Sequence, residues 1–271
     1  MRLCYMSTTP EVRGPMPLAW LDDLDTVLPQ VAEMGYEGLE LQTRDPSQFD
    51  HAAVLRKIEA AGLELVALST GPIGIEEGMY LCHKDADVRT RAIERYRSII
   101  DLAAEWGVDS SIGGFRGRAA NASSREEGLG WFRSAVEDLA EYADQRGRKI
   151  VLEPQCRINT DFLMTIGETV EFIESMSASN LVLEADMFHM ALEETSIPAA
   201  LVRGREYLAH VQLGDSNRLA PGQGFLPWRD IVEVLRALGY DGWLSMEFTQ
   251  KPNSPEAARM AIDFVRPLIA R

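Results

Sequence analysis

The sequence is poor in cysteine, in histidine and in positive charge, and it contains no long apolar run. Of its 271 residues only 3 are Cys and 4 are His. Cys4, Cys82 and Cys156 are odd in number and match the spacing of neither a zinc knuckle nor a redox CxxC pair, so reduced thiols are expected and a disulfide framework is excluded. Basic side chains number 27 against 42 acidic ones, a formal net charge of −15. Such a surface repels phosphate backbones. No Lys/Arg-rich stretch with interleaved aromatics offsets it, so nucleic acid is excluded as the main partner. No run of about 18 apolar residues is present to span a bilayer. The start, MRLCYMSTTPEV, lacks the charged head and apolar centre of a secretory signal. The reading is a cytoplasmic protein without a membrane partner.

What is present is the composition of a folded globule, 46% hydrophobic and 25% charged, in a length that suits one large α/β domain over residues 1–271. Short apolar runs alternate with longer segments of helical periodicity, the signature of repeated βα units. Strands are predicted at 2–7, 37–42, 63–69, 108–115, 149–154, 180–186, 207–213 and 242–248. The third helix, over 85–106, places Val88, Ala92, Ile99, Leu102 and Ala103 on one apolar face and stops at Gly107. The phrases EMGYEGLELQ, AAGLELVAL and ALGYDGWLSMEF share one design, in which a helix ends at Gly and a strand begins within a few residues. Eight such units predict a single-domain (β/α)8 TIM barrel. A doubly wound open sheet is the alternative, but neither GxGxxG nor GxxxxGK[ST] follows the first strand.

In a barrel of this kind the chemistry gathers at the C-terminal ends of the strands. Strands five to eight end in Glu153, Asp186, Gln212 and Glu247, each one βα unit after the last, so the four side chains should converge. Three carboxylates cannot meet uncompensated. A proton, an arginine or a divalent cation must compensate them; the cation is the economical answer, and an oxygen-rich set favours Mn²⁺ or Mg²⁺ over zinc.

The motifs resemble those of a known family. Glu153-Pro154-Gln155-Cys156-Arg157 is one. Asp186-Met187-Phe188-His189-Met190 with Glu193-Glu194 is another, followed by Asp215-Ser216-Asn217-Arg218 with Pro221-Gly222-Gln223-Gly224. Together they are similar to those of the xylose isomerase-like sugar isomerase/epimerase barrels. The likeness is greatest to ketose 3-epimerases and 5-keto-gluconate epimerases, which carry EPLNR, DTFHMNIEE and DSNR…PGxG. It extends to Arg44-Asp45-Pro46, His83 and Arg116-Gly117-Arg118, and so spans nearly the whole chain. Three departures stand out. Gln212 replaces the usual strand-seven His, as in related dehydratases acting on dehydroshikimate. Cys156 stands where Asn is usual. Glu184 stands where relatives are apolar.

The resemblance implies one divalent metal, Mn²⁺ first with Mg²⁺ or Co²⁺ as alternatives, held by Glu153, Asp186, Gln212 and Glu247. It also makes Glu153 and Glu247 acid and base in proton transfer beside a carbonyl, through a metal-stabilised enediolate. The activity expected is epimerisation of a ketose or keto-sugar acid. Aldose–ketose isomerisation, cleavage of a 3-oxo-glycoside (C-glycoside), and a metal-free sugar-binding or partner subunit are the alternatives. His189 is expected at a sugar hydroxyl or steadying a catalytic Glu, Arg218 and Arg157 at substrate oxygens or at carboxylates behind the ligands, Arg116 at a substrate carboxylate or as a solvated loop cation, and His83 with Tyr80 on a loop covering the site. Glu184 and His210 are expected to hydrogen-bond beneath the metal, since an unpaired interior carboxylate is costly. His51 is expected on the ordinary surface. A homodimer or tetramer is the expected assembly.

Overall fold

In the computed structural model, which describes residues 1–270, eight parallel strands close into a barrel in sequence order. They are β1 (Arg2–Thr8), β2 (Gly38–Gln42), β3 (Glu64–Ser69), β4 (Asp109–Ile112), β5 (Ile150–Leu152), β6 (Leu181–Asp186), β7 (Leu208–Leu213) and β8 (Trp243–Met246). β8 returns to β1 with Leu244 opposite Leu3, which rules out the open doubly wound sheet. Every predicted strand is found, though β4, β5 and β8 are shorter than expected. Gly113 leaves the extended conformation at φ −103, ψ −115, and residues Gly114–Arg116 form a 3₁₀ turn.

The helices are α1 (Leu24–Met34), α2 (His51–Ala60), α3 (Gly71–Glu77), α4 (Ala86–Trp106), α5 (Arg125–Asp144), α6 (Ile166–Glu174), α7 (Met187–Glu193), α8 (Ile197–Gly204), α9 (Trp228–Ala237) and α10 (Ser254–Ile269). Local chemistry sets their ends. Asp23, Asp50, Asp85, Ser124, Thr165 and Asn253 each accept a first-turn backbone N–H. α1 and α4 close on Gly35 and Gly107 at φ 92 and 73, a left-handed geometry that favours glycine. Two helices lie outside the eightfold pattern. α3 occupies the start of the segment expected to be a covering loop, and α7 begins at the residue after β6.

The apolar core lies between barrel and helices. Leu39 and Leu41 of β2 point outward into it with Val27, Ile58 and Leu68, all fully buried. The alternate residues Glu40 and Gln42 therefore point into the barrel. The interior is polar towards the C-terminal end, where Glu40, Glu184, His210 and Ser245 are all buried. No helix among the described residues is long and apolar enough to cross a membrane.

Candidate active site

The four expected residues all stand at the C-terminal ends of β5 to β8, but Glu247 is outside the group of carboxylate and imidazole atoms close enough to share one ion. Asp186 is the last residue of β6 and caps α7, and Gln212 lies beside it in register on β7. Glu153 and Glu247 follow β5 and β8 by one residue, and Glu247 is two beyond Ser245, the register partner of Gln212. All four are almost fully buried, at 5%, 1%, 2% and 7% exposure for Glu153, Asp186, Gln212 and Glu247. Gly113 is necessary to this packing, because a Cβ there would run into Glu153 Oε2.

His189, one turn into α7, completes the centre. Its Nε2 lies 3.3 Å from Glu153 Oε1 and 3.6 Å from Asp186 Oδ2, while its Nδ1 accepts the Cys156 amide at 3.2 Å. One ligand atom from each of Glu153, Asp186 and His189 falls within 4.8 Å of the others, a group that could hold a metal ion. His189, expected at a sugar hydroxyl or steadying a catalytic Glu, stands against Glu153, and a neutral ring whose Nδ1 accepts carries its proton on the Nε2 that faces the carboxylates. Arg218, held at φ 59 after β7, reaches in from the other side. Its Nη1 lies 3.1 Å from Asp186 Oδ2, and its Nη2 donates to Glu247 Oε2 at 2.5 Å.

A pattern of half-satisfied ligands tests whether a cation fits. Glu153 Oε2 accepts from Gln155 Nε2 at 2.7 Å, Asp186 Oδ1 accepts the Phe188 amide at 2.7 Å, and Gln212 Nε2 donates to Glu40 at 3.0 Å. The remaining oxygens, Glu153 Oε1, Asp186 Oδ2 and Gln212 Oε1, are buried without a hydrogen-bond partner. Buried acceptors left unmade are expensive. Each side chain is thus tied by one atom and presents the other, and the donors are hard oxygens beside an imidazole. The set fits a divalent cation. Burial, with Asp186 and Glu153 nearby, pushes the Glu247 carboxyl well above the ordinary carboxylate range despite the pull of Arg218.

One layer deeper the expected Glu184–His210 bond does not form, although the two residues are register partners. Side chains of paired parallel strands lie side by side, and His210 reaches across the interior instead. Its Nε2 sits 2.8 Å from Glu40 Oε2. Both Glu184 oxygens have no partner among the described residues. Burial and the nearby Glu153 and Glu40 raise its pKa well above the usual value. Glu40 behaves oppositely: burial alone would raise it, but His210, Ser245 and Ser69 hold it below. Sequence reasoning missed Glu40. Its signal was an acid on the interior side of an otherwise apolar strand, GLELQ.

The remaining expected residues divide. A cleft of about 310 Å³ opens above the centre, with Gln42, Gln155, Asn159, Arg218 and Glu247 on its polar side and Leu18, Ile75 and Tyr80 on its apolar side. Tyr80 and α3 therefore border it as expected of a cover. His83 does not; its ring accepts the Asp85 amide at 3.1 Å at the entry to α4. Arg116 is fully buried, and its guanidinium is spent on the carbonyls of Gly113, Ile112, Glu153 and Leu163. It ties the ends of β4 and β5 together and offers nothing to a substrate carboxylate. Arg157 is 70% exposed and pairs with Glu193 through both oxygens, which fastens the loop after β5 to α7. The three cysteines are free, as expected, and all three are buried. A larger hollow of about 650 Å³, beside the first turns of α1 and α2, contains none of these groups.

Fold and site together define a (β/α)8-barrel protein with an acidic, cation-compatible centre at the C-terminal face of its strands. The chain belongs to the xylose isomerase-like TIM barrel family, whose model matches residues 28–268. It is similar to the D-psicose 3-epimerase of Ruminiclostridium cellulolyticum, 29% identical over 244 residues that cover 84% of this chain and 79% of the relative. It is likewise similar to the 3-dehydro-D-guloside 4-epimerase of Escherichia coli, at 25% identity covering 84% and 88%. In fold it resembles the crystal structure of D-psicose 3-epimerase from Clostridium cellulolyticum H10 with D-tagatose, with a TM-score of 0.79 at 21% identity over 99% of both chains.

Proposed function

We propose that this protein is a divalent-metal-dependent sugar epimerase that inverts a carbon next to the carbonyl of a ketose or keto-sugar acid. The observation that carries the reading is the set of buried oxygens on Glu153, Asp186 and Gln212 that accept no hydrogen bond, each belonging to a side chain anchored by its other polar atom, with the Arg218 guanidinium beside Asp186 Oδ2 at 3.1 Å. The epimerase names of the relatives support the reaction class. Glu153, Asp186, Gln212 and Glu247 would hold the cation, with His189 beside them and Mn²⁺ the first candidate. When bound, the cation would polarise the substrate carbonyl and offset the negative charge left as the neighbouring carbon loses its proton.

The chain's own residues supply the rest. Glu153 and Glu247 follow β5 and β8, three strands apart around the barrel, so they approach a bound sugar from different sides. One carboxylate removes the carbon-bound proton, and the other, as the acid, returns a proton to the opposite face. The product is an isomer of the substrate, so no co-reactant is needed. Arg218 keeps Glu247 in place and faces the cleft, where it can also donate to a sugar oxygen. Gln155 and Asn159 add amides, and Leu18, Ile75 and Tyr80 keep bulk water off the reacting face.

Proton exchange in D₂O, followed by NMR on protein stripped and reloaded with Mn²⁺ or Mg²⁺, tests this across ketohexoses, keto-sugar acids and 3-oxo-glycosides. Metal-dependent deuterium uptake beside a carbonyl with formation of the epimer is expected. An aldose product or glycoside cleavage would replace epimerisation by isomerase or lyase chemistry. Absence of exchange with every substrate would overturn the reading.

A further inference from the structure

We propose that Glu40 is a positioning residue that makes Gln212 an oxygen ligand, an inference that rests on the metal-site reading above. A carboxamide presents an oxygen and an NH₂ of nearly the same shape, and only the oxygen can bind a cation. At position 212 the choice is made from below. Glu40 Oε1 accepts from Gln212 Nε2 at 3.0 Å and also from Ser69 Oγ, while Glu40 Oε2 faces His210 Nε2 at 2.8 Å.

Each hydrogen-bond partner of this carboxylate carries an N–H or O–H that it can donate, and an ionised carboxylate only accepts. Turning the amide over would set Gln212 Oε1 against Glu40 Oε1 and aim the NH₂ at the centre, where Arg218 already supplies donors. The acceptor-only carboxylate forbids that arrangement. Gln212 Oε1 is left buried, partnerless and turned away from Glu40.

The grip is rigid because it crosses the barrel. Glu40 is on β2 and Gln212 on β7, strands that are not neighbours, and His210 takes the second oxygen from the same strand as Gln212. β7 thus holds the carboxylate at two points, two residues apart. Glu40 itself is outside the group of candidate ligand atoms formed by Glu153, Asp186 and His189. It acts through Gln212.

Mn²⁺ titration by calorimetry, without sugar, tests this on wild type, Glu40→Gln, Gln212→Ala and the double variant. An amide at position 40 can donate or accept, so Gln212 becomes free to turn. Mn²⁺ affinity should fall about 10–100-fold in Glu40→Gln, the usual effect of losing a group that orients a ligand. In the Gln212→Ala background the same change should cost little more, because nothing remains to be oriented. A merely structural role would weaken both backgrounds equally, and that result overturns the inference. So does unchanged affinity in Glu40→Gln.

Should Glu40→Gln fail to fold, a high-resolution structure of the Mn²⁺-loaded wild type decides. Gln212 Oε1 on the metal with Nε2 on Glu40 supports the assignment, and a metal held without Gln212 ends it. The two readings fail separately. Wild type that binds Mn²⁺ and follows this cycle yet exchanges no sugar proton would end the epimerase reading and leave the role of Glu40 standing. Wild type that binds no divalent cation would end both.

Discussion

His210 Nε2 lies 2.8 Å from Glu40 Oε2 in the barrel interior, joining β7 to β2 across strands that do not touch. The pair lies below the candidate metal centre, and the lowered pKa of Glu40 makes it a buried charge. Removing one partner leaves the other uncompensated, which is a far larger effect than the net worth of the pair. His210→Leu should therefore destabilise the fold by about 3–5 kcal/mol in urea denaturation. Glu184→Leu, which deletes a buried carboxyl that has no hydrogen-bond partner and whose charged form burial disfavours, should cost much less or be stabilising. Equal losses in the two variants would contradict this division of roles.

Glu247 is tied by Arg218 and lines the cleft. Glu247→Gln keeps an oxygen and the shape of the side chain but removes the carboxyl to which the proposed function gives an acid–base role. Proton exchange should drop by about 10²–10⁴-fold, the contribution typical of a positioned acid or base, with the fold retained. Circular dichroism and exchange NMR check both halves. Undiminished turnover would remove Glu247 from the mechanism.

His51 is not an ordinary surface histidine. Its Nδ1 meets Glu105 Oε2 at 2.9 Å and its Nε2 meets the Pro46 carbonyl at 2.7 Å, so both ring nitrogens have acceptors. Partial burial lowers its pKa, but Glu105 and the Pro46 carbonyl prevail and raise it. A histidine with a raised folded pKa contributes stability that is fully present below its unfolded value, about 6.5, and is lost as pH rises through the folded value. Both side chains are partly exposed, which limits the gain to below about 1 kcal/mol. Glu105→Gln should lower stability near pH 5.5, below the unfolded value of about 6.5. It should leave stability unchanged in alkaline solution. Urea midpoints at the two pH values read the difference.

Glu76, in α3, accepts the backbone amides of Arg13 and Gly14, each at 2.9 Å, and pairs with Arg44 at 3.3 Å. It fastens the loop carrying Leu18 to the helix carrying Ile75, and both residues border the cleft. Glu76→Ala should raise KM several-fold with a smaller effect on kcat, because the borders of the cleft loosen while Glu153 and Glu247 stay in place. A fall in kcat at unchanged KM would place Glu76 in the chemical step instead.

The sequence by itself determined the barrel, the strand order and the convergence of Glu153, Asp186, Gln212 and Glu247. Those properties follow from local periodicity: apolar runs alternate with amphipathic helices, and one unit length separates each strand end from the next. It also determined that Arg218 and His189 sit on segments leaving β7 and β6 towards the site.

The tertiary structure decided which partners these residues take. Arg116 follows β4, as a substrate-binding arginine would, yet it is drawn into the ring of carbonyls where β4, β5 and the loop after β5 meet. His83 turns to cap the entry of α4. Glu184 and His210 are adjacent in register, but a side chain inside a closed barrel can meet residues of strands far from its own, and Glu40 on β2 is the carboxylate within reach. Periodicity tells which way a side chain points. Only the curvature that closes eight strands into a barrel determines what it meets there.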